Sequence, residues 1–223
     1  MLNTVSSCNK PNNYKNNATE NQAVQKSYYQ IIDSLYYTIK DDLDTNNIYK
    51  TIDTTKLNSS NKVYTIILSS IQLINSNNIY ESEDLLLSTI NTLENNNINP
   101  IVQEKYYNTL SRVYFIQSNS KALKYALKGL EIAKTNKLSP NYSYYMLGNA
   151  YLNYSDYNNA IKYYYLATQK NTDNLFLANL YNNIAITYQR FNQLDSTEKY
   201  YKLSLENYYQ YNNTTIQQKQ IMQ

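Results

Sequence analysis

In the middle of the chain apolar residues return every three to four positions, and short polar clusters divide them into segments of helical length. Tyr144, Leu147, Gly148 and Tyr151 fall at i, i+3, i+4 and i+7, one face of a helix. Ala160, Tyr164 and Ala167 mark the inner face of a second helix. Between them, Asn153 to Asp156 supply a polar turn, with Ser155 or Asp156 placed to cap the second helix. Gly148 and Ala160 are small at facing points, so the two helices can approach closely while Tyr151 and Tyr164 fill the space beside the crossing.

The same pattern recurs on both sides. Downstream it reads Tyr181-x-x-Ile184-Ala185-x-x-Tyr188, then Thr197-x-x-x-Tyr201. Upstream it reads Tyr107-x-x-Leu110-Ser111-x-x-Tyr114, then Ala122-x-x-x-Ala126. Tyr107, Tyr144 and Tyr181 are evenly spaced, 37 residues apart, and the glycine position holds a small residue each time: Ser111, Gly148, Ala185. Before residue 100 the pattern weakens. Residues 62–74 and 79–93 read as another helix pair, 23–41 as one long helix, and 45–61 as a short, poorly defined partner. The expected organisation is a disordered linker over 1–22, a degenerate helical-repeat region over 23–97, regular repeats over 98–211 and a polar tail over 212–223. That last segment reads equally as a capping helix or the stub of a longer chain.

The segment Tyr144, Leu147, Gly148, Tyr151, Ala160, Tyr164 resembles the tetratricopeptide signature W-x2-L-G-x2-Y…A-x3-F, with tyrosine in place of the tryptophan and the phenylalanine. The resemblance is specific over about residues 104–210. The units are about three residues longer than the 34 of that family. The extra length is placed around Thr135-Asn136, Pro140 and Thr172-Asp173, and Pro100 and Pro140 just before first helices. The resemblance implies an all-α fold: a right-handed superhelical solenoid of antiparallel helix pairs, with the first helix of each pair lining a concave groove.

Composition narrows the function. Charged residues make up only 17% of the chain, below the roughly 25% of typical soluble domains, and amides and hydroxyls take their place. The 28 tyrosines argue against disorder. With 2 Gly and 3 Pro the chain lacks the punctuation of a many-stranded sandwich. A net charge of +3 without a dense basic block speaks against nucleic-acid binding. One cysteine and no histidine exclude an intrachain disulfide, a zinc site with nitrogen or sulfur ligands, and histidine-based catalysis. No phosphate loop or nucleophile elbow occurs. The acidic cluster Glu81, Glu83, Asp84 reads as a helix start, where the dipole favours negative charge. Asp41, Asp42 and Asp44 lack the spacing of a calcium loop. No catalytic residue, metal or cofactor is expected.

The outward face of the first helices is expected to carry Asn108, Arg112, Phe115, Tyr142, Tyr145, Asn149, Asn153, Asn182, Ile186 and Arg190. Of these, Asn108, Arg112, Tyr145, Asn149, Asn182 and Arg190 are the candidate groove residues. Amides can pair with an extended backbone, tyrosine supplies contact area, and arginine can grip a carboxylate with two hydrogen bonds. The family's clamp of paired lysines and asparagines is not reproduced. Two readings of this face stand: a groove for a peptide or a partner's acidic segment, and a solvated face of an Asn- and Tyr-rich chain. An interaction scaffold is the function expected; the sensory module of a peptide-responsive or membrane-linked transcription regulator, without its effector domain, is the alternative.

Val5-Ser6-Ser7-Cys8-Asn9-Lys10 resembles the end of a bacterial lipoprotein signal, with Cys8 as the lipidated residue and Asn9 to Asn17 as a linker. A signal needs a basic start and an apolar stretch, and neither precedes Cys8. Localisation follows from that choice: lipid-anchored at the cell envelope if the natural start lies upstream, cytoplasmic otherwise. A membrane enters only through such an anchor.

Overall fold

A computed structural model describes residues 22–33, 53–95, 97–169, 171 and 173–221. Cys8 and Asp41, Asp42 and Asp44 lie outside the described residues. Every regular element among the described residues is helical. Helix α1 covers residues 22–33. After a single 3-10 turn at Thr54–Lys56 come α2 (Ser59–Asn75), α3 (Ile79–Asn95), α4 (Pro100–Ile116), α5 (Lys121–Thr135), α6 (Asn141–Asn153), α7 (Tyr157–Thr168), α8 (Asn174–Arg190) and α9 (Leu194–Ile221). Helix α9 thus runs on through residues 212–221. None of these helices is long and apolar enough to cross a membrane.

From α2 to α9 each helix packs on its neighbour in sequence, and α2, α4, α6 and α8 also pack on one another in that order. That second set of contacts makes the chain a solenoid of helix pairs: the first helices stand side by side in an inner layer. A pair cannot bury its apolar faces alone, so the core is continuous between units. Val63, Tyr64, Ile67, Leu68, Leu86, Tyr106, Leu110 and Tyr114 form it across α2 to α5. Leu152, Ala160, Tyr164, Leu180 and Ile184 carry it on toward α9.

Five of the turns share one chemistry. Asn77, Ser118, Lys137, Ser155 and Asn192 each adopt a left-handed backbone, with φ between 53° and 64°. At each, the following residue's N–H bonds back to a helix carbonyl five positions earlier: Asn119 to Tyr114 at 2.8 Å, Asp156 to Tyr151 at 3.0 Å, Gln193 to Tyr188 at 2.9 Å. This is the Schellman closure, which glycine usually serves. Ser118, Ser155 and Asn192 are again 37 residues apart. Ser155 is therefore the left-handed residue and Asp156 the cap, accepting from the Asn159 N–H at 3.1 Å. Asn99 caps α4 ahead of Pro100, and Asp173 caps α8. Pro140 occupies the cap position of α6 without a side-chain bond.

Both glycines mark close approaches. A Cβ on Gly148 would lie 2.4 Å from two ring carbons of Tyr164, and one on Gly129 would lie 2.5 Å from Asn108 Oδ1. Tyr164 therefore sits directly on Gly148. Tyr151 does not share that space: it stacks on Tyr163 with centroids 5.3 Å apart. In the next unit Ala185 replaces the glycine, and Tyr201, at the position of Tyr164, is exposed while Tyr200 is buried. Tyr201 reaches back to α8 through its hydroxyl, which donates to Gln189 Oε1 at 3.3 Å.

Candidate functional site

The polar residues that replace charge in this sequence do much of their work inside. Ser111 Oγ donates to the Ala122 carbonyl at 2.9 Å, Tyr106 Oη to that of Leu86 at 2.5 Å, and Ser204 Oγ to that of Ala178 at 2.7 Å. Each bond ties one helix to another through a backbone oxygen, which lets a hydroxyl be buried without the cost of an unpaired group.

The inner layer encloses one cleft of about 350 Å³, lined by Arg112, Phe115 and Ile116 of α4, Tyr142, Tyr145, Met146 and Asn149 of α6, and Phe176 and Asn179 of α8. Three successive first helices build it, so only the stacking of units brings its walls together. Tyr142, Tyr145 and Phe176 pack as an aromatic wall, with centroids 5.6 to 6.3 Å apart. Arg112 is half-buried and donates to Asn75 Oδ1 at 3.3 Å, a long bond that uses little of its capacity. Burial pushes the Tyr142 hydroxyl up to about 12, opposed by the Arg112 charge.

Three of the six candidate groove residues meet here: Arg112, Tyr145 and Asn149. Asn149 is only 2% exposed, yet it borders the cleft. Its Oδ1 accepts from Tyr164 Oη at 2.7 Å and from Asn183 Nδ2 at 3.0 Å. The same Asn183 Nδ2 donates to Tyr145 Oη at 3.1 Å.

Asn108 is not on an outward face. It is fully buried, and its Nδ2 donates to Glu104 Oε1 at 2.5 Å and to Ser143 Oγ at 3.0 Å. Its amide oxygen lies against α5, in the space that a side chain on Gly129 would take. Asn182 is half-buried and Arg190 exposed, and neither lines the cleft. Asn153 donates to the Phe115 carbonyl at 2.8 Å, and Ile186 packs against the core. Neither Glu104 nor Asn183 was among the candidates: Glu104 precedes the first repeat anchor, and Asn183 occupies an unspecified position of the motif Tyr181-x-x-Ile184. Glu104 is 8% exposed, and burial raises its carboxyl above the ordinary range despite the Ser143 and Asn108 bonds. Glu81 lies in the first turn of α3, while Glu83 accepts from Gln117 Nε2 at 2.7 Å.

Neither a family model nor a curated protein matches the sequence. Among solved structures the chain is similar to MamA MSR-1, with 15% identity and a TM-score of 0.47 over 83% of this chain and 97% of that one. MamA AMB-1 gives 16% and 0.43 over 82% and 97%. BtubC (BKLC) from P. vanneervenii gives 12% and 0.33 over 83% and 92%. Likeness at this level says nothing of function, which rests on the cleft alone.

Proposed function

We propose that this chain is a non-enzymatic interaction scaffold whose inner cleft takes an extended acidic segment of a partner protein. The observation that carries the reading is the convergence of α4, α6 and α8 on one cleft with a guanidinium at its side and aromatic rings for walls. Rings bury apolar area at low entropic cost, and Arg112 supplies a donor fork that fits a carboxylate. The regulator alternative draws on no residue of the cleft and is not carried further.

The test is fluorescence anisotropy with a labelled octapeptide alternating Glu and Leu, and its counterpart alternating Lys and Leu. The acidic peptide binds and the basic one does not. Arg112→Gln weakens binding about tenfold, as expected for the loss of a charge-assisted hydrogen bond. Arg190→Gln, outside the cleft, leaves it unchanged. Equal affinity of the Arg112 variant and the parent refutes the assignment.

A further inference from the structure

The hydrogen bonds behind the cleft run in one direction. Tyr164 is fully buried against Gly148, and its hydroxyl reaches Asn149. A buried O–H must donate or stand unpaired, and an unpaired one is costly. Asn149 therefore presents its oxygen inward to Tyr164 and Asn183, and its Nδ2, on the cleft-lining side chain, makes no hydrogen bond among the described residues. Asn183 completes the arrangement by donating to both Asn149 Oδ1 and Tyr145 Oη. With its oxygen accepting from Asn183, Tyr145, which lines the cleft, still has its hydrogen to offer. With both amides reversed, Asn149 would offer Tyr164 a donor instead of an acceptor, and the Tyr164 and Tyr145 hydrogens would compete for the one Asn183 oxygen.

Given the cleft as the binding site proposed above, we infer that Tyr164 and Asn183 are positioning residues that commit Asn149 and Tyr145 to donate. The seat they create reads a group that only accepts, namely a carboxylate. One Nδ2 group reaches Asn149 Oδ1 and Tyr145 Oη within 3.1 Å, so the Asn149 amide and the Tyr145 hydroxyl lie beside each other. Arg112 adds charge to the same cleft, but the selectivity for acceptors is built by neutral side chains. The resembled signature carries phenylalanine at the position of Tyr164, so the hydroxyl that sets this direction belongs to this chain.

The experiment is a nitrogen-15 NMR titration of the full chain with 3-phenylpropionate and with 2-phenylethylammonium. The Asn149 side-chain amide is assigned by its loss in Asn149→Ser. Phenylpropionate shifts the Asn149 amide downfield, and phenylethylammonium does not. Asn183→Asp replaces the shared donor by an acceptor, and the order of the two probes reverses, by about tenfold for exchange of a charge-assisted bond. Tyr164→Phe keeps the ring on Gly148 and adds no charge. It weakens phenylpropionate about two- to fivefold by releasing Asn149 to reverse, and the Asn149 shift shrinks.

Unaltered binding and shift in Tyr164→Phe overturn the inference, as does an unaltered probe order in Asn183→Asp. A response confined to Arg112, with Asn149 unmoved, also overturns it but leaves the cleft standing as a binding site. No response in the cleft to either probe removes the binding site itself, and this inference with it.

Discussion

Gly148→Ala adds one methyl group where α6 meets the Tyr164 ring of α7 most closely. On an exposed helix the change would stabilise by about 1 kcal/mol, because alanine loses less backbone freedom than glycine. Here the new carbon would stand 2.4 Å from two carbons of the Tyr164 ring and 2.9 Å from a third. Relief requires movement of the ring, but Tyr164 is fully buried and its hydroxyl is bonded to Asn149. Overpacking of this kind costs about 1–3 kcal/mol. Set against the propensity gain, the net expectation is a loss of about 1 kcal/mol, or roughly 2–4 °C in Tm for a chain of this size. Thermal unfolding followed by circular dichroism measures it. A second variant isolates the cause: in a Tyr164→Leu background, which removes the ring, Gly148→Ala becomes neutral or stabilising. The difference between the two backgrounds is the coupling energy of the contact. A Gly148→Ala protein that melts at or above the parent temperature would show that α6 and α7 do not meet through this glycine.

Other consequences are open to measurement. Ser155→Gly relieves a left-handed residue, with φ 57°, and raises stability by about 0.5–1 kcal/mol in a urea titration, the left-handed penalty being partly offset by glycine's freedom when unfolded. No gain, or a loss, refutes the shared turn geometry. Because burial raises the Glu104 carboxyl in the folded state, the native form holds its proton more tightly than the unfolded chain. Its contribution is complete below the ordinary value of 4.5 and is lost as pH rises through the raised one. Glu104→Gln flattens that decline in a pH series of urea midpoints, and an identical slope in both proteins tells against a buried Glu104.

The placement of the polar side chains shows where local pattern stops being informative. Asn108 and Arg112 lie one turn apart on α4, and periodicity alone assigns both to an outward face. The structure separates them: Asn108 turns into the gap at Gly129, and Arg112 reaches the cleft. Asn183 differs from Asn182 by one position, which on a helix is a turn of about 100°. That step puts Asn183 behind the cleft, bonded to Tyr145 and Asn149, and leaves its neighbour out of it.

By itself the sequence determined the helical pairs and their 37-residue repeat, because both are written in the spacing of apolar and small residues along one chain. It also determined the tight crossing at Gly148, since a missing side chain signals close approach wherever the partner lies. Only the tertiary structure decided which polar groups face the cleft and which way they donate. That depends on contacts between α4, α6, α7 and α8, which lie far apart in sequence, and on one buried hydroxyl that must find an acceptor.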